Sequence, residues 1–280
     1  MKILMKKCLT IFAILLTFTM IGCNGQNSGN TGSGADIVAT VNGEEVSRQD
    51  FSAAFELELN QLQMQGIDFD SPEMEEAIRE LELFVLDNYF VIPMLVAQKA
   101  VEEGIEVSEA EIEERFQQFA DSYGGEELLL QQMAEINFTR EDIDRDIRQE
   151  LLINSYLDSY IDHYYSENPG AVIDQESIDI DFVEVEEYYT MIVEEYTELS
   201  AMLEDEESAM PNEQIEAYLM QLEEQYGDLT DPDGLEEARE VIEGELRQFK
   251  AAQQEEQLLQ QILADHIAEL QENSLVEIFL

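Results

Sequence analysis

The sequence predicts a mostly α-helical fold closed by a small β element that pairs the N- and C-terminal strands of the folded part. Three observations carry this expectation. Apolar residues recur every three to four positions along most of the chain. Ser or Thr followed three residues later by Asp or Glu opens several of these stretches. The two β-prone runs, Ile37–Val41 and Leu275–Leu280, stand near opposite ends.

Element by element, Ile37–Val41 reads as a strand, and Asn42-Gly43 is a strong two-residue hairpin signal leading back through Val46. Ser47 with Asp50 resembles a capping box, after which Phe51, Phe55, Leu59 and Leu62 form one apolar stripe. A second helix is expected to start at Ser71-Pro72 and to carry Ile78, Leu81, Phe84, Val85, Tyr89, Ile92, Leu95 and Val96, with a kink at Pro93 and an end at Gly104. Ser108 and Glu111 cap a third helix with Ile112, Phe116 and Phe119, closed by Gly124-Gly125. A fourth is expected over 126–135. Thr139 with Asp142 opens a fifth, whose apolar positions run from Ile143 to Tyr164 and which stops before Pro169-Gly170.

The stretch from Val172 to Asp231 is more acidic. It carries a helical stripe of Ile178, Phe182, Val185, Tyr189, Ile192, Tyr196 and Leu199, then Ile215, Tyr218, Leu222 and Tyr226, punctuated by Pro211 and Pro232. A last helix is expected from about Asp233 to Asn273, with Leu235, Val241, Ile242, Leu246, Phe249, Leu259, Ile262, Leu263, Ile267 and Leu270 on its apolar side. Leu275–Leu280 then pairs with Ile37–Val41 and brings the two ends together.

Ahead of the first strand the chain has another character. Three lysines among the first seven residues precede an apolar run from Cys8 to Ile21, the layout of a secretory signal and too short for a comfortable membrane span. Met20-Ile21-Gly22-Cys23 resembles the bacterial lipobox, with Met20 where Leu is usual. Residues 1–22 are therefore expected to be removed and Cys23 to be lipidated, which places the protein on the extracytoplasmic face of the cell membrane. Residues 23–35 then form a flexible tether of Gly, Asn and Ser. With Cys8 removed and Cys23 acylated, no thiol remains for a disulfide.

The formal net charge is −52. Without residues 1–22, ten basic side chains would face 65 acidic ones, and only Lys99 and Lys250 would remain as lysines. Such a field repels nucleic acid and anionic headgroups, so no nucleic-acid partner is expected. Apolar residues still make up 45% of the chain, enough for a packed core. Acidity on this scale fits concentrated salt, where the Debye length falls to about 3 Å at 1 M and self-repulsion is screened.

Two groups of residues resemble a known family. One is Val38-Ala39-Thr40-Val41-Asn42-Gly43-Glu44-Glu45-Val46 with Asp50-Phe51; the other is Leu95-Val96-Ala97-Gln98-Lys99-Ala100 through Gly104-Ile105-Glu106-Val107-Ser108-Glu109-Ala110-Glu111-Ile112. Together with Ile147–Leu151 and the final helix plus strand, they are similar to the N-terminal chaperone domain of the SurA and PrsA foldases, which is related to part of trigger factor. The resemblance covers roughly 37–165 and 235–280. It implies a chaperone domain over 36–170 completed by 233–280, with 171–232 as an acidic helical insert where relatives carry a parvulin prolyl isomerase.

That interval is shorter than a parvulin domain and has no parvulin-type glycine run. His163 and His266 are the only histidines in the chain, and both fall outside it. The implied partners are unfolded or secreted polypeptides, with the membrane engaged through the lipid. A divergent prolyl isomerase and a surface adhesion or assembly lipoprotein gripping one folded partner are the alternatives.

No residue pattern points to a catalytic site, a cofactor or a dedicated metal site. Carboxylate runs such as Glu204–Glu207 read as a solvated face. The run from Leu229 to Gly234, with Glu240 at the twelfth position, has an EF-hand outline, but Leu229 stands where the first carboxylate ligand belongs. Tyr156, Tyr160, Tyr164, Tyr189, Met191 and Tyr196 are the candidate client-binding residues, because aromatic and methionine side chains suit promiscuous apolar contacts. The same positions also suit an ordinary buried stripe.

Overall fold

The computed structural model describes residues 36–69, 74–135, 138–203, 210–231 and 233–280. The expected signal, Cys23, the tether, the Ser71-Pro72 helix start, Glu204–Glu207 and Pro232 lie outside those residues.

Strand β1 (Ile37–Val41) pairs antiparallel with β2 (Glu44–Ser47) through a turn in which Asn42 and Gly43 both have positive φ, 52° and 88°. This is the geometry for which Asn-Gly is suited. On its other side β1 pairs antiparallel with β3 (Val276–Ile278), Thr40 opposite Glu277, giving the order β2-β1-β3. The expected pairing of the two ends is therefore present. Asn42 secures it: its N–H donates to the Leu275 carbonyl at 2.8 Å, and its Oδ1 accepts from the Leu275 N–H at 2.9 Å.

Helices follow in chain order: α1 (Arg48–Met64), α2 (Glu75–Leu86), α3 (Ile92–Glu102), α4 (Glu109–Ser122), α5 (Glu126–Glu135), α6 (Arg140–Glu167), α7 (Phe182–Leu203), α8 (Asn212–Tyr226) and α9 (Gly234–Glu272). Their starts are chemical. Ser47 Oγ accepts from the Asp50 N–H, Ser108 and Glu111 make a full capping box, and Thr139 and Asp142 bond reciprocally. Between α2 and α3 the helix widens into a π turn, Asp87–Val91. The ring of Pro93, two residues on, would otherwise meet the carbonyl four residues before it, so the expected kink takes the form of this wider turn. Gly104, at φ 80°, ends α3.

The described residues divide into two compact units. One runs from residue 36 to Tyr164 and includes Leu263–Leu280; the other is Tyr165–Ile262. The first holds three buried clusters. Val38, Val41, Val46, Phe51, Val85, Leu86, Phe90 and Leu95 join the sheet to α1–α3. Ile112, Phe116, Leu129, Phe138, Ile143 and Ile147 join α4–α6. Val96, Ala100, Ile153, Tyr156 and Leu157 pack with Leu263 and Leu270 at the end of α9. Full burial of each such aliphatic side chain contributes about 1.5–3 kcal/mol.

The scarce arginines also gather here. The Arg140 guanidinium lies 3.3 Å from the centroid of the Phe116 ring and pairs with Glu113 and Asp144, both at 2.7 Å. Arg115–Glu150 and Arg148–Glu109, each at 2.6 Å, tie α4 to α6.

In the second unit, Val185, Ile192 and Leu199 line one face of α7 at seven-residue spacing. They pack with Ile215, Leu219, Leu222 and Tyr226 of α8 and with Ala238 and Ile242 of α9. Several expected stripe positions fall elsewhere. Ile178 lies outside α7, just after a 3-10 turn, because two short turns precede the helix. Phe182 and Tyr218, and on α9 Val241 and Phe249, are exposed. A helix buries a stripe of limited width, and these residues stand beyond its margin.

Candidate functional site

The candidate client-binding residues divide between the units. Tyr156, Tyr160 and Tyr164 are on α6 in the first; Tyr189, Met191 and Tyr196 are on α7 in the second. Tyr156 is 2% exposed, with its hydroxyl 2.7 Å from His266 Nε2, and burial pushes that hydroxyl up to about 12. Tyr160 stacks on the His266 ring with centroids 3.7 Å apart. The reason Tyr156 is internal is this polar match: a buried hydroxyl needs a partner, and the imidazole supplies it. Tyr156 is therefore a core residue and not an exposed apolar contact. Tyr160 and Tyr164 are half-buried.

On α7, Tyr189 and Tyr196 are half-buried and Met191 is exposed. The Tyr196 hydroxyl donates to Glu223 of α8. The Tyr189 hydroxyl is buried against Gly234, where an added Cβ would collide with it and with the Asp228 carbonyl, so the first residue of α9 has to be glycine. Tyr196 thus links α7 to α8 through its hydroxyl, whereas the buried Tyr189 hydroxyl has no hydrogen-bond partner and serves by packing. Met191 and Met202, eleven residues apart and three helical turns along α7, present flexible apolar side chains to solvent from one face.

Further exposed apolar residues are not among the candidates the sequence offers for client binding, and two of them, Phe84 and Phe249, were expected on buried stripes. In the first unit they are Leu57 and Met64 on α1, Met64 being 82% exposed, and Leu83 and Phe84 on α2. In the second they include Met220 and Phe249, the latter 66% exposed. The available signal was negative: Leu57 and Met64 are seven residues apart and off the stripe that runs through Phe51 and Phe55. Single exposed apolar residues are ordinary, but several large and flexible ones on surfaces otherwise crowded with carboxylates are chemically suited to weak apolar contacts.

The loop at Leu229 is built for packing. Leu229 is buried in the second core, Asp228 Oδ1 accepts from the Thr230 N–H at 2.9 Å, and Asp231 Oδ1 accepts from the Asp233 N–H at 2.9 Å. Among the described residues, no group of three or more His, Cys, Asp or Glu is arranged to hold a metal ion, and no helix is long and apolar enough to cross a membrane.

Asp146, on α6, is the most perturbed carboxylate among the described residues. Burial raises it to about 7 against the pull of Arg145, with Asp142 and Asp50 adding to the rise. One of its oxygens has no hydrogen-bond partner.

Among curated proteins, none matches the chain. The family model of the SurA-like N-terminal domain matches residues 2–157. That match takes in β1, β2, α1–α5 and most of α6, so it includes both groups of residues that carry the resemblance. The domain is a chaperone-type module of extracytoplasmic folding factors. With more than half of its length matched, the chain belongs to the SurA-like N-terminal domain family.

Proposed function

We propose that the protein is a membrane-anchored extracytoplasmic holdase: it binds unfolded segments of secreted polypeptides reversibly and catalyses no isomerisation. The carrying observation is the SurA-like N-terminal domain over residues 2–157. The exposed Met and Phe side chains give several weak apolar contacts whose combined avidity would hold a client. The carboxylate coat would keep the complex soluble. The anchor rests on Met20-Ile21-Gly22-Cys23 and the Gly, Asn and Ser tether behind it. In this reading residues 171–232 stand where relatives carry an isomerase and enlarge the client surface instead.

The test is binding of residues 24–280 to an unfolded proline-containing polypeptide in molar salt, with isomerisation followed in the same sample. Binding that slows aggregation without accelerating isomerisation is expected. Turnover would establish an isomerase, and saturable one-to-one binding to a native protein alone would establish an adhesion or assembly role. For the anchor, Cys23→Ser is expected to release the protein from the membrane fraction and abolish incorporation of labelled fatty acid.

A further inference from the structure

We propose that the outer edge of β3 takes up an extended segment of an unfolded polypeptide, with alternating apolar and basic side chains, as a fourth strand of the sheet. The proposal deepens the holdase reading and rests on it.

Ladder parity carries the geometry. Asn42 donates to the Leu275 carbonyl and Phe279 donates to the Val38 carbonyl at 2.7 Å, with Thr40 opposite Glu277 between them. Residues 275, 277 and 279 therefore direct their backbone toward β1. Val276 and Ile278 direct their N–H and C=O groups away from it, since antiparallel pairs alternate. In the order β2-β1-β3, no described strand meets those outward groups. They form a ready template for a further strand.

The side chains along this edge are apolar and open. Leu275 is 64% exposed and Ile278 46%, and Phe279 and Leu280 are similarly exposed. The opposite edge, β2, begins with Glu44 and Glu45 and offers no such surface. The β3 edge is also held in place, because Asn42 fixes Leu275 and Arg48 donates to the Phe279 carbonyl at 3.4 Å.

Charge selects the occupant. A second copy paired on β3 would bring a Glu277 from each chain onto one small sheet, and each chain carries a net charge of −52. Like charges opposed across strands are destabilising, which disfavours self-pairing on an otherwise aggregation-prone edge. The Gly, Asn and Ser tether has no apolar residue to place beside Ile278. An extended chain with apolar residues beside Ile278 and basic residues near Glu277 satisfies both features.

The probe is a capped seven-residue peptide alternating valine and lysine, titrated onto the full chain and followed by fluorescence anisotropy and isotope-edited amide I absorption. Binding with a new antiparallel β signature is expected. Ile278→Pro removes an outward N–H while sparing the bonds to β1, and should weaken binding at least about tenfold, the equilibrium weight of one hydrogen bond plus a steric clash. Glu277→Lys should shift preference toward a valine–glutamate peptide.

Should Ile278→Pro fail to fold, the peptide N-methylated at every residue gives the answer with the native chain, since neither of its edges keeps an N–H to pair with β3 and it should not bind. Equal binding of the N-methylated and plain peptides, or dimerisation through β3, would overturn the edge proposal while leaving client binding intact. Failure of the chain to bind any unfolded polypeptide would overturn the holdase reading itself.

Discussion

Tyr156 Oη and His266 Nε2 share a hydrogen bond of 2.7 Å that ties α6 to the last turns of α9, inside the first unit. The two residues are 110 positions apart in the chain. Tyr156→Phe would leave a buried ring nitrogen without its partner, at a cost of about 1–3 kcal/mol. A lower urea midpoint with an unchanged slope is the expected result, and a midpoint equal to that of the native chain would show that the bond contributes nothing.

His266 also sets a pH dependence. Burial holds its imidazole below the usual range, outweighing the pull of Glu269 and Glu103 in the other direction. The unfolded chain therefore takes up this proton first as pH falls. Its contribution is fully present above about 6.5, the ordinary histidine value, and is lost as pH drops through that value toward the lower folded one. His266→Phe should remove this acid-side loss, read as a smaller difference between thermal midpoints at pH 7.5 and 5.5 than the native chain shows.

Asp146 acts with the opposite sign. Its folded value of about 7 lies above the 3.8 of a free aspartate. The folded state thus binds the extra proton, so the penalty is absent below about 4, grows as pH rises toward 7 and is complete above it. With its side chain 19% exposed, Asp146→Asn should stabilise the protein by about 2–4 kcal/mol at pH 8 and leave stability at pH 4 unchanged. Denaturant titrations at the two pH values check this; a gain of equal size at both would place the effect outside ionisation.

Asn42 joins three segments through one side chain. Its Oδ1 accepts from Leu275, its Nδ2 donates to Gln98 Oε1 at 2.9 Å, and its backbone sits at φ 52°. Asn42→Ala loses these two side-chain bonds and a longer one from Nδ2 to Ser274 Oγ at 3.5 Å, and puts a Cβ-bearing residue with no local compensation into the left-handed region, costing about 2–3 kcal/mol. Hydrogen exchange should show the loss concentrated in β3, with the α4–α6 cluster unaffected.

Where local chemistry decides, the sequence was readable. Ser108 and Glu111 announced a helix start, Asn42-Gly43 a hairpin, and Leu275–Leu280 a strand beside Ile37–Val41, because each rests on bonds or backbone angles that a few residues dictate. Periodicity was a coarser guide. It gives the direction of a stripe but not its margin, so Phe84, Phe182, Tyr218 and Phe249 were placed on apolar faces and stand exposed. The π turn at Asp87–Val91 was readable only as a kink at Pro93, since how a helix accommodates a proline depends on what packs around it. The candidate site was the least legible part. Its six residues share a composition, but burial and hydroxyl partners put Tyr156 inside and leave Met191 outside, and both depend on contacts distant in sequence.

Salt should stabilise the two units unequally. Residues 165–262 carry 29 acidic side chains against three basic ones, whereas residues 36–164 and 263–280 together carry 36 against seven. In the second unit self-repulsion dominates, and its screening as the Debye length shrinks from about 10 Å at 0.1 M to about 3 Å at 1 M favours the folded state. In the first unit the same salt also weakens the ion pairs of Arg115, Arg140 and Arg148, each worth about 0.2–1 kcal/mol, so part of the gain is cancelled. Hydrogen exchange in 0.1 and 1 M potassium chloride resolves the units. Protection in α7 and α8 should rise more than in α4 and α6, and an equal rise in both would mean that exclusion of salt from the surface, not screening of the carboxylates, supports the fold.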